Sequence, residues 1–178
     1  MIAKTVLLGM NNPDPNDAFR ARIKTGSGYR LLSFMNEYLE PQKIKIDAGD
    51  FERMFDRRNM LDEEKWDFKR ATKRRDEVLR GLAGCRVIMC GGAVAETLDM
   101  DIHSSFEWFM SLGIAWCKIP HPSGVNRIYN EKMPRIRAGE ILWTELQRGV
   151  LWHAENRLPQ ESFLYNRWPE TKFCYPPT

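Results

Sequence analysis

Residues 85–98, CRVIMCGGAVAETL, decide the fold. An unbroken apolar run through Val87 and Ile88 to Cys90 stops at Gly91-Gly92 and passes at once into a helix-forming segment. Continuous rather than alternating hydrophobicity marks a strand covered on both faces, as in a parallel sheet. A helix that starts straight from a glycine turn is how such a strand is left. Two further runs share the pattern, KTVLLG (4–9) and AWCKIP (115–120). Helical patterns lie between them. GYRLLSFMNEYL (28–39) repeats apolar residues at Leu31, Leu32, Met35 and Leu39, and DEEKWDFKRATKRRDEVLRGLAG (62–84) sets Trp66, Ala71, Val78 and Leu82 among charges before a glycine stop. SSFEWFMSLG (104–113) is predicted to be a short helix with serine at its cap, and RAGEILWTELQRGVLWHA (137–154) a long closing one. The alternation predicts an α/β fold around a central, mostly parallel sheet.

Composition agrees with one soluble domain spanning residues 1–178. The chain has 178 residues, 43% hydrophobic and 29% charged, close to globular averages. No apolar run approaches the roughly 20 residues of a membrane span, and the N-terminus lacks a signal-peptide pattern. A cytoplasmic protein without a membrane partner is therefore expected, and a monomer is favoured. Cys85, Cys90, Cys117 and Cys174 show no CxxC spacing and lie mostly in apolar segments, so they read as core thiols, with no metal site expected. The net charge of +3 permits an anionic partner without demanding one. The tail from about residue 156 is predicted to be irregular.

In an open parallel sheet, ligands bind beyond the carboxyl ends of the strands. Two polar stretches sit there: LLGMNNPDP (7–15) leaves the first strand and IPHPSGVNR (119–127) leaves the last. Taken alone, each is also ordinary turn chemistry, since Asn, Asp, Pro and Gly favour turns. As a pair they resemble the two signature motifs of the uracil-DNA glycosylase superfamily, in particular the GMNPGP and GINPG forms of its single-strand-selective and mismatch-specific branches. SGYRLLSFM, FDRRNML, the Trp66 segment and CRVIMCGGAVAETL recur in similar order in glycosylase-like proteins of bacteria and phages, so the resemblance covers about residues 4 to 148. The chain departs from the family in the first motif, which is one residue longer and has Asp14 where glycine is usual.

What the resemblance implies is a three-layer α/β/α fold with a mostly parallel four-stranded sheet, and a monofunctional glycosylase that removes uracil or a related modified pyrimidine from DNA, with no cofactor. Counting back from Pro13 puts Asn12 in the catalytic place, the preferred reading; counting forward from Gly9 puts Asn11 there. Such an amide would orient a water but cannot act as a strong base, so slow turnover is expected. His121 would donate to the departing base. Gly9 and Met10 would flank the base, Asn59 would read its edge, and Phe19 or Tyr29 would stack on it. For Asn59 a cap or turn role is the alternative, and for the aromatics core packing. Val125 would wedge into the DNA, while Ser123, Gly124 and Arg127 would meet phosphates or the opposite strand. Asp14 and Asp17 are nearby carboxylates that turn capping also explains. No lysine occupies the catalytic place, which argues against a Schiff-base lyase.

Three features stay open. Lys65 to Arg80 holds seven basic and three acidic residues, which reads either as a DNA-binding stripe or as a solvated helix with local ion pairs. His103 and His153 read as structural or exposed. The altered NNPDP motif also fits a non-hydrolytic DNA or modified-base binder on the same fold, or an enzyme acting on modified nucleotides.

Overall fold

The computed structural model describes residues 4–12, 18–63, 65–101 and 103–155, with backbone alone from 149 onward. The predicted tail from 156, Asp14 and Asp17, and the side chain of His153 lie outside the described residues. In chain order the elements are β1 (Val6–Asn11), α1 (Ser27–Leu39), α2 (Ala48–Met54), β2 (Asp56–Leu61), α3 (Phe68–Gly81), β3 (Arg86–Cys90), α4 (Gly92–Thr97), β4 (Trp108–Ser111), β5 (Ile114–Ile119) and α5 (Lys132–Glu155). They form an α/β fold on one mixed sheet of order β2-β1-β3-β5-β4. The first four strands in that order run parallel, and β4 pairs antiparallel with β5 at the edge.

The three apolar runs are β1, β3 and β5, and their continuous hydrophobicity has the expected cause. Leu7, Ile88 and Cys117 face a core shared with Leu31, Met35 and Phe51 of α1 and α2 and with Leu142 of α5. Val6, Leu8, Val87, Met89 and Trp116 face the other core, with Ala71 of α3 and Val94 and Ala95 of α4. Alternate side chains thus enter two different cores, and only strand-end positions such as Asn11, Arg86 and Lys118 are partly exposed. Helix α5 lies close on α1: a methyl group on Gly139 would stand 2.2 Å from the Phe34 carbonyl oxygen. Aspartates open α2 and α3, Asp47 accepting from the Asp50 amide at 2.7 Å and Asp67 from the Arg70 amide at 3.1 Å, which satisfies donors that a helix N-terminus leaves without partners.

Two expectations are corrected. The sheet has five strands rather than four, and SSFEWFMSLG supplies the additional one instead of a helix. Leu112 and Gly113 both take positive φ, 52° and 71°, the two-residue geometry that joins twisted antiparallel strands. In this hairpin Trp108 packs toward one core and Phe109 toward the other, a split that one face of a helix would not allow. FDRRNML, where a cap or turn was the alternative for Asn59, is β2, a strand at the opposite edge whose Arg57 and Arg58 are tolerated because only one neighbour must be paired.

At the N-terminal ends of the parallel strands a buried carboxylate ties three elements together. Glu145 of α5 is 3% exposed, accepts from Thr5 Oγ1 at 2.9 Å, and receives Arg86 Nε and Nη2 at 2.6 and 2.7 Å. The Arg86 guanidinium also lies 4.0 Å from the Trp108 ring centroid. Removing one partner of such a pair strands the other. Glu145→Ala is expected to lower stability by about 3 kcal/mol, read as a reduced urea midpoint with unchanged slope, while Thr5→Val costs roughly 1 kcal/mol.

Candidate functional site

The C-terminal ends of β1, β2 and β5 and the start of α1 enclose a cleft of about 140 Å³. A cavity of about 150 Å³ holds one six-membered ring, so the cleft suits a single small heterocycle. Gly9, Met10, Asn11, Asn12, Phe19, Asn59 and His121 line it, and all seven are residues that the sequence singles out.

Strand register brings the first of them together. Gly9 pairs with Asn59 across β1 and β2, so both point to the same face of the sheet. A methyl group at position 9 would stand 2.5 Å from Asn59 Oδ1 and 2.8 Å from two Phe19 ring atoms, closer than such atoms approach. Only glycine lets the amide and the ring meet over β1. Phe19 is 7% exposed and held at φ 50°, a left-handed conformation unusual for a bulky residue and of the kind found at ligand sites. Tyr29, the other stacking candidate, is 39% exposed and does not line the cleft.

Asn59 carries the most informative feature. Its Nδ2 is buried and has no hydrogen-bond partner among the described residues. A buried donor without an acceptor costs about 1–3 kcal/mol, and in a cleft an acceptor on a ligand or a water can meet it.

Asn11 and Asn12 both reach the cleft, by different routes. Asn11 is the last residue of β1 and lies two positions from Gly9, hence on the Gly9 face. Its Nδ2 donates to the Glu63 carbonyl at 2.9 Å, which fixes how its amide is turned. Asn12 follows the strand, and its backbone N–H donates to the Leu61 carbonyl at 3.2 Å.

His121 enters from the loop after β5. Gly91, at φ +113°, turns the chain from β3 into α4 and leaves room for the imidazole, whose Cβ would be 3.2 Å from a methyl group there. Burial pushes the His121 pKa below its ordinary value near 6.5, so the ring is neutral at pH 7 and one nitrogen is a donor. The loop is well fixed. Asn126 Nδ2 donates to the His121 carbonyl at 3.0 Å and the Tyr129 hydroxyl to the Pro120 carbonyl at 2.8 Å. Tyr129 stacks on Phe34, and Arg135, paired with Glu37 at 2.7 and 3.0 Å, donates to the Tyr129 carbonyl at 2.9 Å.

The rest of that loop continues from His121 without lining the cleft. Val125 is 88% exposed and projects beside exposed Gly124 and Arg127, while Ser123 is half-buried and its carbonyl accepts from the Asn126 amide. Sequence reasoning missed Arg20, Ile23, Gly26, Ser27 and Gly28, which complete the wall at the start of α1. The GSG triplet at 26–28 was the available signal. His103 stacks on Phe109 and does not line the cleft. Cys90 and Cys117 are buried, and burial raises both thiols, Cys117 to about 12, so neither supplies a nucleophile at neutral pH. Among the described residues the cleft presents amides, one hydroxyl, one imidazole and one guanidinium, and no carboxylate. Such a set binds and orients a neutral polar ring and stabilises negative charge that develops on it.

Compared with known proteins, the sequence matches no family model and no curated relative.

Two outcomes follow from the geometry. Gly9→Ala is expected to displace Asn59 or Phe19 and abolish ligand binding in the cleft while leaving the protein folded, as circular dichroism and calorimetric titration will show. The His121 pKa is lower in the folded chain, so below about pH 6.5 the unfolded state takes up a proton that the folded state refuses. Stability therefore falls as pH drops below that value and flattens once the folded pKa is passed. His121→Gln is expected to remove this slope from denaturation midpoints measured between pH 5 and 7.

Proposed function

We propose that the protein is a monofunctional DNA glycosylase of the uracil-DNA glycosylase superfamily, acting on uracil or a related modified pyrimidine flipped out of the strand. The observation that carries this reading is the buried, unpartnered Asn59 Nδ2 beside the Phe19 ring in a cleft sized for one heterocycle. A donor at that point matches the 4-carbonyl of a uracil-type base and opposes the 4-amino group of cytosine, a discrimination glycosylases need because cytosine surrounds their target. The four parallel strands, with helices on both faces and the cleft at their carboxyl ends, support the three-layer form of the fold.

Each remaining group then has a task. As the bond between the sugar carbon and the base nitrogen lengthens, its electron pair moves to the base and negative charge gathers on the 2-oxygen. A neutral His121 donates a hydrogen bond to that oxygen, where the charge develops. Asn11 or Asn12 orients a water toward the sugar carbon. The water oxygen bonds to carbon as its proton leaves, and the base departs protonated, leaving an abasic site. The Asn11–Glu63 hydrogen bond favours Asn11, since it holds that amide in one orientation on the Gly9 face. Val125, exposed four residues after His121, fits the wedge that fills the vacated stack.

A non-hydrolytic base binder is the second reading, favoured by the extra residue that GMNNPDP carries relative to the family motif. One assay separates the two. Oligonucleotides with a single uracil or hydroxymethyluracil, single-stranded or opposite G or A, are incubated with protein and then treated with alkali. Cleavage is expected, reduced about 10²–10³-fold by His121→Ala and by roughly 10²-fold in Asn59→Asp, which keeps the shape and loses the donor. Asn11→Ala is expected to reduce cleavage more than Asn12→Ala. Tight binding without cleavage of any substrate would establish the binder instead.

A further inference from the structure

Helix α3 holds six basic and two acidic residues, a balance of +4 in a chain whose net charge is +3. The net positive charge of the chain is thus matched by the excess on this one element. Ala71 is its one buried residue, so nearly all of that charge faces water. Lys69, Lys73 and Arg80 fall within about 40° of one another around the helix, are exposed, and enter no ion pair among the described residues. Asp76 shares the stripe and lies 3.9 Å from Arg75.

The position of this stripe matters more than its charge. Arg70, Lys73 and Arg74 form one wall of an open groove whose other wall is Leu61, Asp62 and Glu63, the residues that leave β2. The groove holds about 340 Å³. Its two carboxylates pair with Arg70, 2.6 Å from Glu63, and with Arg74, 3.8 Å from Asp62, which leaves Lys73 as the groove's cation without an ion pair among the described residues. The Glu63 carbonyl in turn accepts from Asn11 in the cleft. The cleft and the groove on the basic face of α3 are therefore joined at the end of β2 through the Asn11–Glu63 hydrogen bond. Phe68, 44% exposed at the start of α3, adds an aromatic face beside Lys69.

We infer that α3 carries the phosphate backbone of the nucleic-acid strand as it leaves the cleft, with Lys69 and Lys73 as its main phosphate contacts and Phe68 as a stacking platform. Exposed cations with an aromatic ring beside them are features by which a single strand is held without sequence preference. The inference rests on the proposed reading of the cleft as a nucleic-acid site and extends its footprint to a second element. An acidic peptide would be attracted by the same charge, but it would not explain the continuity with a ring-sized cleft.

The test is the salt dependence of binding to a single-stranded 15-mer holding one uracil, for the wild type, Lys69→Glu/Lys73→Glu, Lys69→Arg/Lys73→Arg and Asn59→Asp. Removing one cation from a phosphate flattens the plot of log K against log salt by ~0.7 for a single strand. The glutamate variant is expected to bind roughly tenfold more weakly, with a slope shallower by about 1.4, and the arginine variant to match the wild type. Asn59→Asp is expected to cut excision roughly 10²-fold and keep the wild-type slope, so failure of the base chemistry and failure of the ridge show separately. An unchanged slope in the glutamate variant overturns the inference, as does a wild type that binds no oligonucleotide. Displacement of the 15-mer by polyglutamate of equal charge, as effective as by unlabelled 15-mer, would make the ridge a surface for acidic protein and overturn it too.

Discussion

The parallel pairing of β1 with β2, with Gly9 opposite Asn59, is the constraint on which the cleft depends. Parallel pairing puts opposed residues on one face of the sheet, and the missing side chain at Gly9 lets the Asn59 amide and the Phe19 ring occupy the space above β1. A slip of one residue would turn Asn59 toward the other core and bring Met60 over Gly9. That slip is opposed because it would carry Met60, buried in the core with Val6 and Leu8, over to the cleft side. The energy of burial thus fixes the position of a polar amide that burial by itself disfavours.

A second set of interactions holds the opposite wall. His121 is placed by a chain of contacts that begins in the helical layer: Glu37 holds Arg135, Arg135 holds the carbonyl of Tyr129, and the Tyr129 hydroxyl holds the carbonyl that precedes His121. Side-chain donors meeting backbone acceptors give the loop a definite shape, which an imidazole needs if it is to meet charge at one point.

How much of this was legible in the sequence depended on where each residue sits in the sheet. β1, β3 and β5 were readable because covering both faces leaves a continuous apolar run. β2 was obscured by Arg57 and Arg58, which an edge strand accepts and a central one would not. β4 was mistaken because Trp108, Phe109 and Met110 satisfy a helical face as easily as a hairpin, and only the left-handed Leu112-Gly113 turn separates the two. At the cleft, the residue types in GMNNPDP and HPSG pointed to loops that the fold brings to one end of the sheet. Counting along the chain could not choose between Asn11 and Asn12, whereas the strand alternation that puts Asn11 on the Gly9 face bears on that choice. Phe19 and Tyr29 were equivalent by composition, and burial distinguishes them. The wall from Arg20 to Gly28 carried no residue with distinctive chemistry, and the GSG triplet reads equally as an ordinary helix start.

The Glu145–Arg86–Thr5 cluster lies at the end of the sheet remote from the cleft. Sites that share no partners contribute to stability nearly independently, and this cluster shares none with Asn59 or His121. The protein is therefore divided into an anchored end and a working end. Substitutions in the loops beyond the carboxyl ends of the strands can change what the cleft accepts while the anchored end keeps the strands in register, an arrangement that leaves specificity free to drift under selection without loss of the fold.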